Sequence, residues 1–312
     1  MDVLSDLLHR ARAREAVIRQ LVQRPPWSIA FAAPSALSLV AVLGGRGAVR
    51  LASGEGVALA AGDIALVACP HPHTVADDPG TPPHVLIRDG QKQILTTGPE
   101  ATRTLRNLAP RTYGDGHPDA TVMLRGSYEL RGGVGERLLA ALPPLAVVPA
   151  GPGTRGALDL LAAETGREEP GQDAVLERLL DLVLVLALRA WCARAEAAAP
   201  SWYRALAVPG LGEALRLLHE HPARRWTVAE LAAAAGLSRA AFAARFTTLV
   251  GEPPLGYLTG WRMTLAADLL RDTEATVATV AREVGYQDAF AFSTAFKRAH
   301  GVSPSAWRRL RP

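Results

Sequence analysis

Hydrophobic side chains are spaced differently in successive parts of this 312-residue chain. In roughly the first 25 residues they recur three and four positions apart, which predicts an amphipathic helix. From Trp27 to about Leu130, short apolar runs such as "LSLVAVL" and "GDIALVA" are separated by Gly, Pro and Asp, the pattern of a β-sandwich or barrel. After "LPPLAVVPAGPG" the spacing is helical to the end. The pattern predicts an α+β chain with two domains.

One long helix is predicted between Asp173 and Ala199. Its sequence, "DAVLERLLDLVLVLALRAWCARAEAAA", is apolar over most of its circumference. Such a wide apolar face suits a helix buried in its own domain, and it suits equally a helix that also pairs with a second copy of itself. Both interpretations stay open, and the second predicts a homodimer through residues 173–199.

The last third of the chain contains an internal repeat. The segment "TVAELAAAAGL", which begins at Thr227, returns as "TVATVAREVGY" from Thr276, 49 residues later. One inserted residue then shifts the match to a spacing of 50. At that spacing two aromatic pairs correspond, Phe242 and Phe246 in the first copy and Phe292 and Phe296 in the second. Agreement at so many positions indicates two copies of one structural unit.

Each copy has the residues that a helix-turn-helix requires. A small residue stands where two helices cross, and a glycine four positions later suits the left-handed turn between them. A capping residue opens each second helix, and Thr227 with Glu230 forms a capping box before the first. The crossing residues are Ala232 and Ala281, the turn glycines are Gly236 and Gly285, and the caps are Ser238 and Asp288. The paired phenylalanines are predicted to be core.

A linker helix of about 18 residues, within "PLGYLTGWRMTLAADLLRDT", is predicted between the two copies. At the standard rise such a helix is about 27 Å long. Recognition helices that enter successive major grooves are about 34 Å apart. The spacing therefore permits both copies to contact one DNA duplex.

These landmarks together resemble the DNA-binding domain of the AraC/XylS family of bacterial transcription regulators, over about 100 residues. The N-terminal half is similar to the cupin-type sensor domain of one branch of that family, on "PWSIAFAAPSALSLVAVLGGRGAVRL" and "GDIALVACPHPHTVADDPG". The expected fold is a cupin-like sandwich or barrel with flanking helices, followed by an all-α double helix-turn-helix. We divide the chain into an effector-sensing domain (1–150), a helical dimerisation or linker segment (151–204) and a DNA-binding domain (205–312).

The resemblance implies a transcription regulator that dimerises, binds two-part sites in promoter DNA, responds to a small-molecule effector and acts with RNA polymerase. By position, the groove-facing residues of the first copy are Ser238, Arg239, Ala240, Ala243, Ala244 and Thr247. Those of the second are Gln287, Asp288, Ala289, Phe290, Ser293, Thr294 and Lys297. Phosphate contacts are expected from Lys297, Arg298, Arg308 and Arg309.

The groove-facing positions of the first copy are unusually rich in alanine, which can contact only a thymine methyl. Arg239 is therefore expected to carry most of the hydrogen-bonded base readout of that copy. Arg245, which lies between core aromatics in the sequence, is expected to form a structural ion pair.

Charge and cysteine content agree with an intracellular DNA-binding protein. The net charge is +4, and all of the excess lies in residues 205–312, which hold 13 basic and 9 acidic side chains. A polyanion is expected to bind there. Two cysteines, Cys69 and Cys192, are too few for a disulfide framework. The N-terminus carries acids where an export signal needs basic residues, so we expect a cytoplasmic protein with no membrane span.

The chemically richest stretch of the sensor domain is "CPHPHTVADD", Cys69–Asp78. His71 and His73 with a following Asp loosely match a metal-binding set; the stretch equally suits the rim of an effector pocket or a structural turn. All three interpretations stay open, although we expect no metal and no other cofactor. The candidate effector-binding residues are Trp27, Cys69, His71, His73, Tyr113 and Tyr128.

An enzymatic function is the main alternative. A metal-dependent cupin dioxygenase or isomerase with an accessory DNA-binding tail would need a bound metal ion. An alkyl-transfer repair sensor would need a four-cysteine zinc site, which two cysteines exclude. We expect a regulator and not an enzyme. The effector, the operator and the choice between activation and repression are not readable from the sequence.

Overall fold

The structure, a computed structural model, describes residues 3–10, 14–68, 71–96, 106–130, 132–194 and 200–310. The chain forms two compact units. The sheet unit comprises Ala13–Leu130 and Leu142–Ala198, and the helical unit comprises Met1–Arg12, Arg131–Ala141 and Ala199–Pro312. The predicted α+β organisation, a sheet-rich N-terminal region and a helical C-terminal domain, is confirmed. In the described ranges, no helix is long and apolar enough to cross a membrane.

The sheet unit contains two sheets and two large helices. Its strands are β1 Arg14–Gln23, β2 Ser28–Phe31, β3 Leu37–Gly44, β4 Arg46–Leu51, β5 Gly56–Ala60, β6 Ile64–Val67, β7 His73–Ala76, β8 Val85–Arg88, β9 Gln91–Ile94, β10 Arg106–Ala109, β11 Thr112–Gly114, β12 Thr121–Glu129 and β13 Leu145–Val148. One sheet has the order β10-β11-β1-β12-β3-β6-β13, and the other has the order β5-β4-β7-β2-β8-β9. Most neighbouring strands are antiparallel; β1 with β11 and β2 with β8 are parallel.

Successive side chains of a strand point to opposite faces of its sheet. On β12, one set faces the second sheet and the other set faces a helix. Met123 joins a core cluster with residues of both sheets, among them Trp27 and Phe31. Gly126 and Tyr128 have the opposite parity and contact a helix instead. One core of this unit therefore lies between the two sheets, and the opposite face of β12 packs against a helix.

Two helices of the sheet unit follow β13. They are α3 (Pro152–Thr165) and α4 (Gln172–Cys192). A Cβ added at Gly126 would lie 2.7 Å from Leu180 Cδ1 of α4, so the glycine permits close packing of helix on sheet. The hydroxyl of Tyr128 donates to the Leu180 carbonyl at 2.8 Å. One face of α4 is thus buried in its own domain, which both interpretations of the 173–199 segment require.

The helical unit contains short helices around one longer one. Their bounds are α1 Val3–Arg10, α2 Gly132–Ala140, α5 Ser201–Leu206, α6 Leu211–Glu220, α7 Val228–Ala234, α8 Arg239–Val250, α9 Pro254–Asp272, α10 Val277–Glu283, α11 Ala289–His300 and α12 Pro304–Arg309. The central helix, α9, is the predicted linker between the repeats and has 19 residues.

Helix α2 is distant in sequence from the C-terminal third but folds with it. Asp268 of α9 accepts hydrogen bonds from the backbone N–H groups of Gly133 (2.6 Å) and Val134 (3.2 Å). A carboxylate at the start of a helix is favourably placed, because the N-terminal end of a helix is partly positive. The Arg137 guanidinium of α2 also lies 5.0 Å from the centre of the Tyr257 ring.

Helix α1 contributes a buried carboxylate to the same unit. Asp6 Oδ2 lies 2.8 Å from His219 Nδ1, and His219 Nε2 lies 2.6 Å from the Tyr257 hydroxyl. Burial lowers the pKa of His219, so its ring is neutral at pH 7. Nδ1 then donates to Asp6, and Nε2 accepts from Tyr257. The sequence did not indicate these contacts, because it placed all of residues 1–150 with the sensor.

Candidate nucleic-acid interface

The first helix-turn-helix, called here the first reader, consists of α7 and α8. The Thr227 side chain accepts from the Glu230 N–H at 3.2 Å, and the Glu230 carboxylate accepts from the Thr227 N–H at 2.8 Å. This reciprocal pair is the predicted capping box. Gly236 has φ +66° in the turn, and the Ser238 hydroxyl caps α8 by accepting from the Ala241 N–H. Each of these local predictions is confirmed.

The second reader consists of α10 and α11 and repeats the plan with different side chains. Thr276 caps α10 through its hydroxyl. Gly285 has φ +90° in the turn. The Asp288 carboxylate then accepts from the N–H groups of Phe290 (3.1 Å) and Ala291 (3.0 Å) to open α11. The predicted turn and cap are confirmed here also.

The aromatic cores of the two readers have almost the same geometry. Phe242 and Phe246 have ring centroids 5.6 Å apart at an angle of 51°, and Phe292 and Phe296 are 5.7 Å apart at 49°. All four rings are fully buried, as predicted. The repeat seen in the sequence is therefore a repeat in three dimensions.

The first reader presents mostly short side chains to solvent at its candidate base-contacting positions. Ser238, Arg239, Ala240, Ala244 and Thr247 are exposed, and Ala243 is half-buried. Arg239 is the only long side chain of this group and lies in the first turn of α8, where recognition helices meet base edges. Arg245 is also exposed, and no acidic group in the described ranges lies within ion-pairing distance of it. The predicted ion pair of Arg245 is therefore wrong in that part of the chain, where this side chain is exposed and not paired with an acid.

The second reader has a different surface. Gln287, Asp288, Thr294, Lys297 and Arg298 are exposed, and Ala289 and Ser293 are half-buried. The Ser293 and Thr294 hydroxyls donate to the carbonyls of Ala289 (2.8 Å) and Phe290 (3.0 Å). Their oxygens keep lone pairs that can accept a hydrogen bond from a base or a water.

Phe290 is the extreme case of apolar exposure on this surface. Its side chain is 79% exposed, in the first turn of α11, whereas the neighbouring Phe292 is fully buried. An isolated exposed hydrophobic residue is common, but this one occupies the position at which an HTH helix meets bases. An aromatic ring there can contact thymine methyl groups.

An open cleft of about 510 Å³ lies alongside α11. Its lining residues are Ser293, Thr294, Lys297, Arg298, Gly301 and Ser303. Two cations with adjacent hydroxyl groups form a surface suited to a phosphate oxygen.

Two arginines at the C-terminal end, both assigned by the resemblance to phosphate contacts, differ in their surroundings. Arg308 is half-buried and donates to the backbone carbonyls of Leu270 and Ala275, so it fixes α12 to the end of the linker helix. Arg309 is exposed. The geometry therefore gives Arg308 a structural role and leaves Arg309 available to a phosphate.

The aromatic residues proposed for the effector pocket lie in three different environments. Trp27 is buried in the core cluster, and Tyr113 packs partly buried against it. Tyr128 is fully buried, but its hydroxyl bonds to Leu180 of α4. It lies on the face of β12 away from the space between the sheets. The structure thus corrects the expectation that Tyr128 lines the pocket.

The histidines of the "CPHPHTVADD" stretch also separate. His71 is exposed, His73 is 97% buried on β7, and Cys69 lies outside the described residues. Asp77 accepts hydrogen bonds from the Trp27 N–H (3.1 Å) and the Thr81 hydroxyl (2.9 Å), which is a structural use of this carboxylate. Within the described ranges, no three metal-ligating side chains form a group that could hold an ion.

Comparison with known proteins agrees with both halves of the chain. Residues 2–193 match the family described as Cupin, and residues 231–310 match a helix-turn-helix domain family. An AraC-like transcription regulator of Streptomyces antibioticus is 35% identical over 314 residues, which cover 99% of each chain. The transcriptional regulator AlkR of Acinetobacter baylyi is 28% identical over 99% of each chain.

Solved DNA-binding domains resemble the C-terminal part. The DNA-binding domain of AdpA, determined in complex with a target DNA, is 35% identical, and the alignment covers 32% of this chain and 90% of that one with a TM-score of 0.31. The full-length relatives are transcription regulators, so the cupin-enzyme alternative is not favoured. The chain belongs to the AraC-like family of DNA-binding transcription regulators, in the branch that carries an N-terminal cupin domain.

Proposed function

We propose that both readers contact promoter DNA in successive major grooves, and that a small molecule bound by the cupin unit changes this contact. The first reader reads through Ser238, Arg239, Ala240, Ala243, Ala244 and Thr247. The second reads through Gln287, Asp288, Ala289, Phe290, Ser293 and Thr294, while Lys297, Arg298 and Arg309 hold phosphates. Action in the cytoplasm together with RNA polymerase follows from this role.

The observation that carries the proposal is that the two readers have the same aromatic core but different exposed residues. The two phenylalanine pairs have nearly equal spacing and angle, so the two readers are equivalent scaffolds. The exposed residues on those scaffolds differ in size, charge and polarity. Equivalent scaffolds with different surfaces are what a protein needs to read two different half-sites of an asymmetric operator.

A gel-shift experiment with the DNA upstream of the protein's own gene tests the proposal. We expect sequence-selective binding whose affinity falls steeply as salt rises from about 50 to 200 mM, because phosphate contacts release counterions. Equal binding to a shuffled duplex of the same length at every salt concentration would contradict base reading.

Arg239→Ala is expected to relax sequence preference at one operator position by about 1–3 kcal/mol, because arginine is the one long hydrogen-bond donor that the first reader offers to base edges. Competition binding with operator variants measures this loss of discrimination. Arg204→Ala, an exposed arginine on α5 outside both readers, is the matched control. If Arg239→Ala weakens all sequences equally, the first reader only positions the protein and the second one reads.

We further propose that α4 pairs two subunits. Val175 and Leu182 on this helix are 42% and 44% exposed, and Leu179 and Leu186 are half-buried on the same stripe. Successive members are four, three and four residues apart, which is the spacing of a two-helix seam. The opposite face of α4, with Leu180 and its neighbours, already packs on the sheet.

Leu182→Asp is therefore expected to convert a dimer into a monomer, because pairing would bury a carboxylate in an apolar seam. Analytical ultracentrifugation of the full chain measures the change. Glu177→Ala on the same helix is the control and should leave the dimer intact. A monomeric wild-type protein at micromolar concentration would contradict pairing through this face.

A further inference from the structure

One half-buried arginine, Arg125, lies in the space between the sheets without an opposite charge. Arg125 shares its face of β12 with the core residue Met123. Its guanidinium carbon lies 4.0 Å from the centre of the Phe31 ring, and Nη2 donates to the Ser38 hydroxyl at 2.9 Å. Nε is buried and has no hydrogen-bond partner. In the part of the chain that the structure describes, no carboxylate lies within ion-pairing distance of Arg125.

The charge that acts on Arg125 has the same sign. Burial first, and then the charge of Arg19, lowers the pKa of Arg125 to about 10. The guanidinium is still fully charged at pH 7. A half-buried cation with an unpaired buried Nε, a like charge acting on it and no acid opposite is an incomplete arrangement, since charges withdrawn from water in folded proteins are ordinarily paired.

A second buried group next to Phe31 is also unsatisfied. The His73 ring stacks on Phe31 with centroids 5.3 Å apart, and the side chain is 3% exposed. By hydrogen-bond geometry neither Nδ1 nor Nε2 has a partner among the described residues; the His71 backbone makes only a weaker contact, which raises the pKa of the ring slightly. Burial, with the charge of Arg125 second, lowers the pKa of His73 to about 4, so the ring is neutral and retains one N–H donor.

The surroundings show why these two residues stand out. Apart from them, the space between the sheets is lined mainly by aliphatic and aromatic side chains, including Leu51 and Val67. Buried polar groups in native proteins are nearly always hydrogen-bonded, and one that is not requires an explanation such as a bound ion, water or ligand. Two such groups contact one aromatic ring, Phe31, inside the cupin unit.

We propose that Arg125 and His73 bind the carboxylate group of a small organic anion, which is the effector of this regulator. The guanidinium supplies the charge and a free N–H edge, the neutral imidazole supplies one further donor, and the Phe31 ring packs against the apolar body of the ligand. This assignment rests on the proposed effector-responsive function and names its ligand class.

The neighbouring groups distinguish a carboxylate from other ligands. A metal ion is disfavoured because His73, the imidazole that would bind it, and the Arg125 cation both contact the Phe31 ring, so the two positive charges would repel each other. Inorganic phosphate, which is a mixture of singly and doubly charged forms at pH 7 and has no apolar part, would face one guanidinium and apolar walls. A singly charged carboxylate with an apolar body matches one cation and those walls.

Thermal unfolding and calorimetry of the full chain with acetate and benzoate test the proposal, with acetamide and benzamide as neutral isosteres. We expect at least one carboxylate to raise the Tm of the wild-type protein while its amide does not. Arg125→Met should abolish that shift, and Arg19→Met, which removes the exposed neighbouring cation, should retain it. Arg125→Lys keeps the positive charge but removes the planar guanidinium that can donate two N–H groups to one carboxylate, so it should weaken carboxylate binding about tenfold or more.

Circular dichroism shows whether Arg125→Met folds, and if it does not, Arg125→Lys alone decides the question. Failure of both carboxylates to bind, or an equal shift in wild type and the Arg125 variants, overturns the assignment. A gel shift on the same samples without additive separates this outcome from failure of the regulator itself. If DNA binding persists while no carboxylate binds, only the ligand class is wrong.

Discussion

Asp6→Ala is expected to lower the free energy of unfolding of the helical unit by about 1–3 kcal/mol, the typical cost of leaving a buried hydrogen-bond donor without its partner. The variant leaves His219 buried with Nδ1 unpaired. It also removes the partner of Arg10, whose Nε lies 2.6 Å from the Asp6 carboxylate. Urea denaturation followed by circular dichroism measures the loss.

A compensated variant separates charge from packing in this network. Asp6→Leu with His219→Phe and Tyr257→Phe replaces all three polar partners by apolar side chains of similar size. Since both members of a buried pair can be exchanged for hydrophobic residues at little cost, this variant should recover most of the lost stability. If Asp6→Ala alone changes the free energy of unfolding by less than about 1 kcal/mol, α1 does not contribute to the fold of this unit.

The same network predicts the direction of a pH effect. The pKa of His219 is lowered by burial, so on acidification the unfolded chain takes up a proton that the folded ring resists. Stability is therefore fully present above the unfolded pKa of about 6.5 and is lost as pH falls below it. Although burial raises the pKa of Asp6, hydrogen bonds from His219 and Arg10 lower it overall, so its own loss follows at lower pH.

Gly285→Ala is expected to destabilise the second reader by about 3 kcal/mol, far more than the equivalent change in the first reader. Gly285 has φ +90°, and an added Cβ would lie 2.5 Å from the Ala223 carbonyl oxygen. That backbone is not free to move, because Arg262 donates to the carbonyls of Pro222 (2.7 Å) and Arg224 (2.8 Å) on either side. Strain and steric clash therefore add together.

Gly236→Ala is the matched control for that prediction. Gly236 has φ +66°, but an added Cβ would meet no atom within 4 Å. Only the left-handed backbone penalty applies, so the expected loss is about 1 kcal/mol. Denaturation of both variants under one condition measures the difference. Equal losses of stability in the two variants would show that the backbone at Ala223 can move away from the added Cβ.

The readers could be predicted from the sequence because their determinants are local. Thr227 and Glu230 are three residues apart, and Gly236 and Ser238 follow within eight positions of Glu230. The capping box, the left-handed turn and the N-cap each depend on such short spacings. The recurrence of the Thr cap, the turn glycine and the second N-cap 49 to 50 residues later made the prediction specific.

The buried network of α1 could not be predicted in the same way. Asp6 and His219 are 213 residues apart, and no periodicity links them. Tyr128 was misassigned because strand parity is undefined until one residue of the strand has been placed in the core. Arg125 shares that parity problem: a charged residue in a strand usually faces solvent, and only the structure places it beside Phe31.

Hydroxyl-radical and base-interference footprinting on a selected operator tests the central claim most directly. One chain with two readers should protect two major-groove segments on one face of the duplex, about 10–10.5 base pairs apart. Gly285→Ala should lose the segment read by α11 and keep the other. A single protected segment, or the loss of both segments together in Gly285→Ala with the rest of the chain folded, would contradict two independent readers on one linker helix.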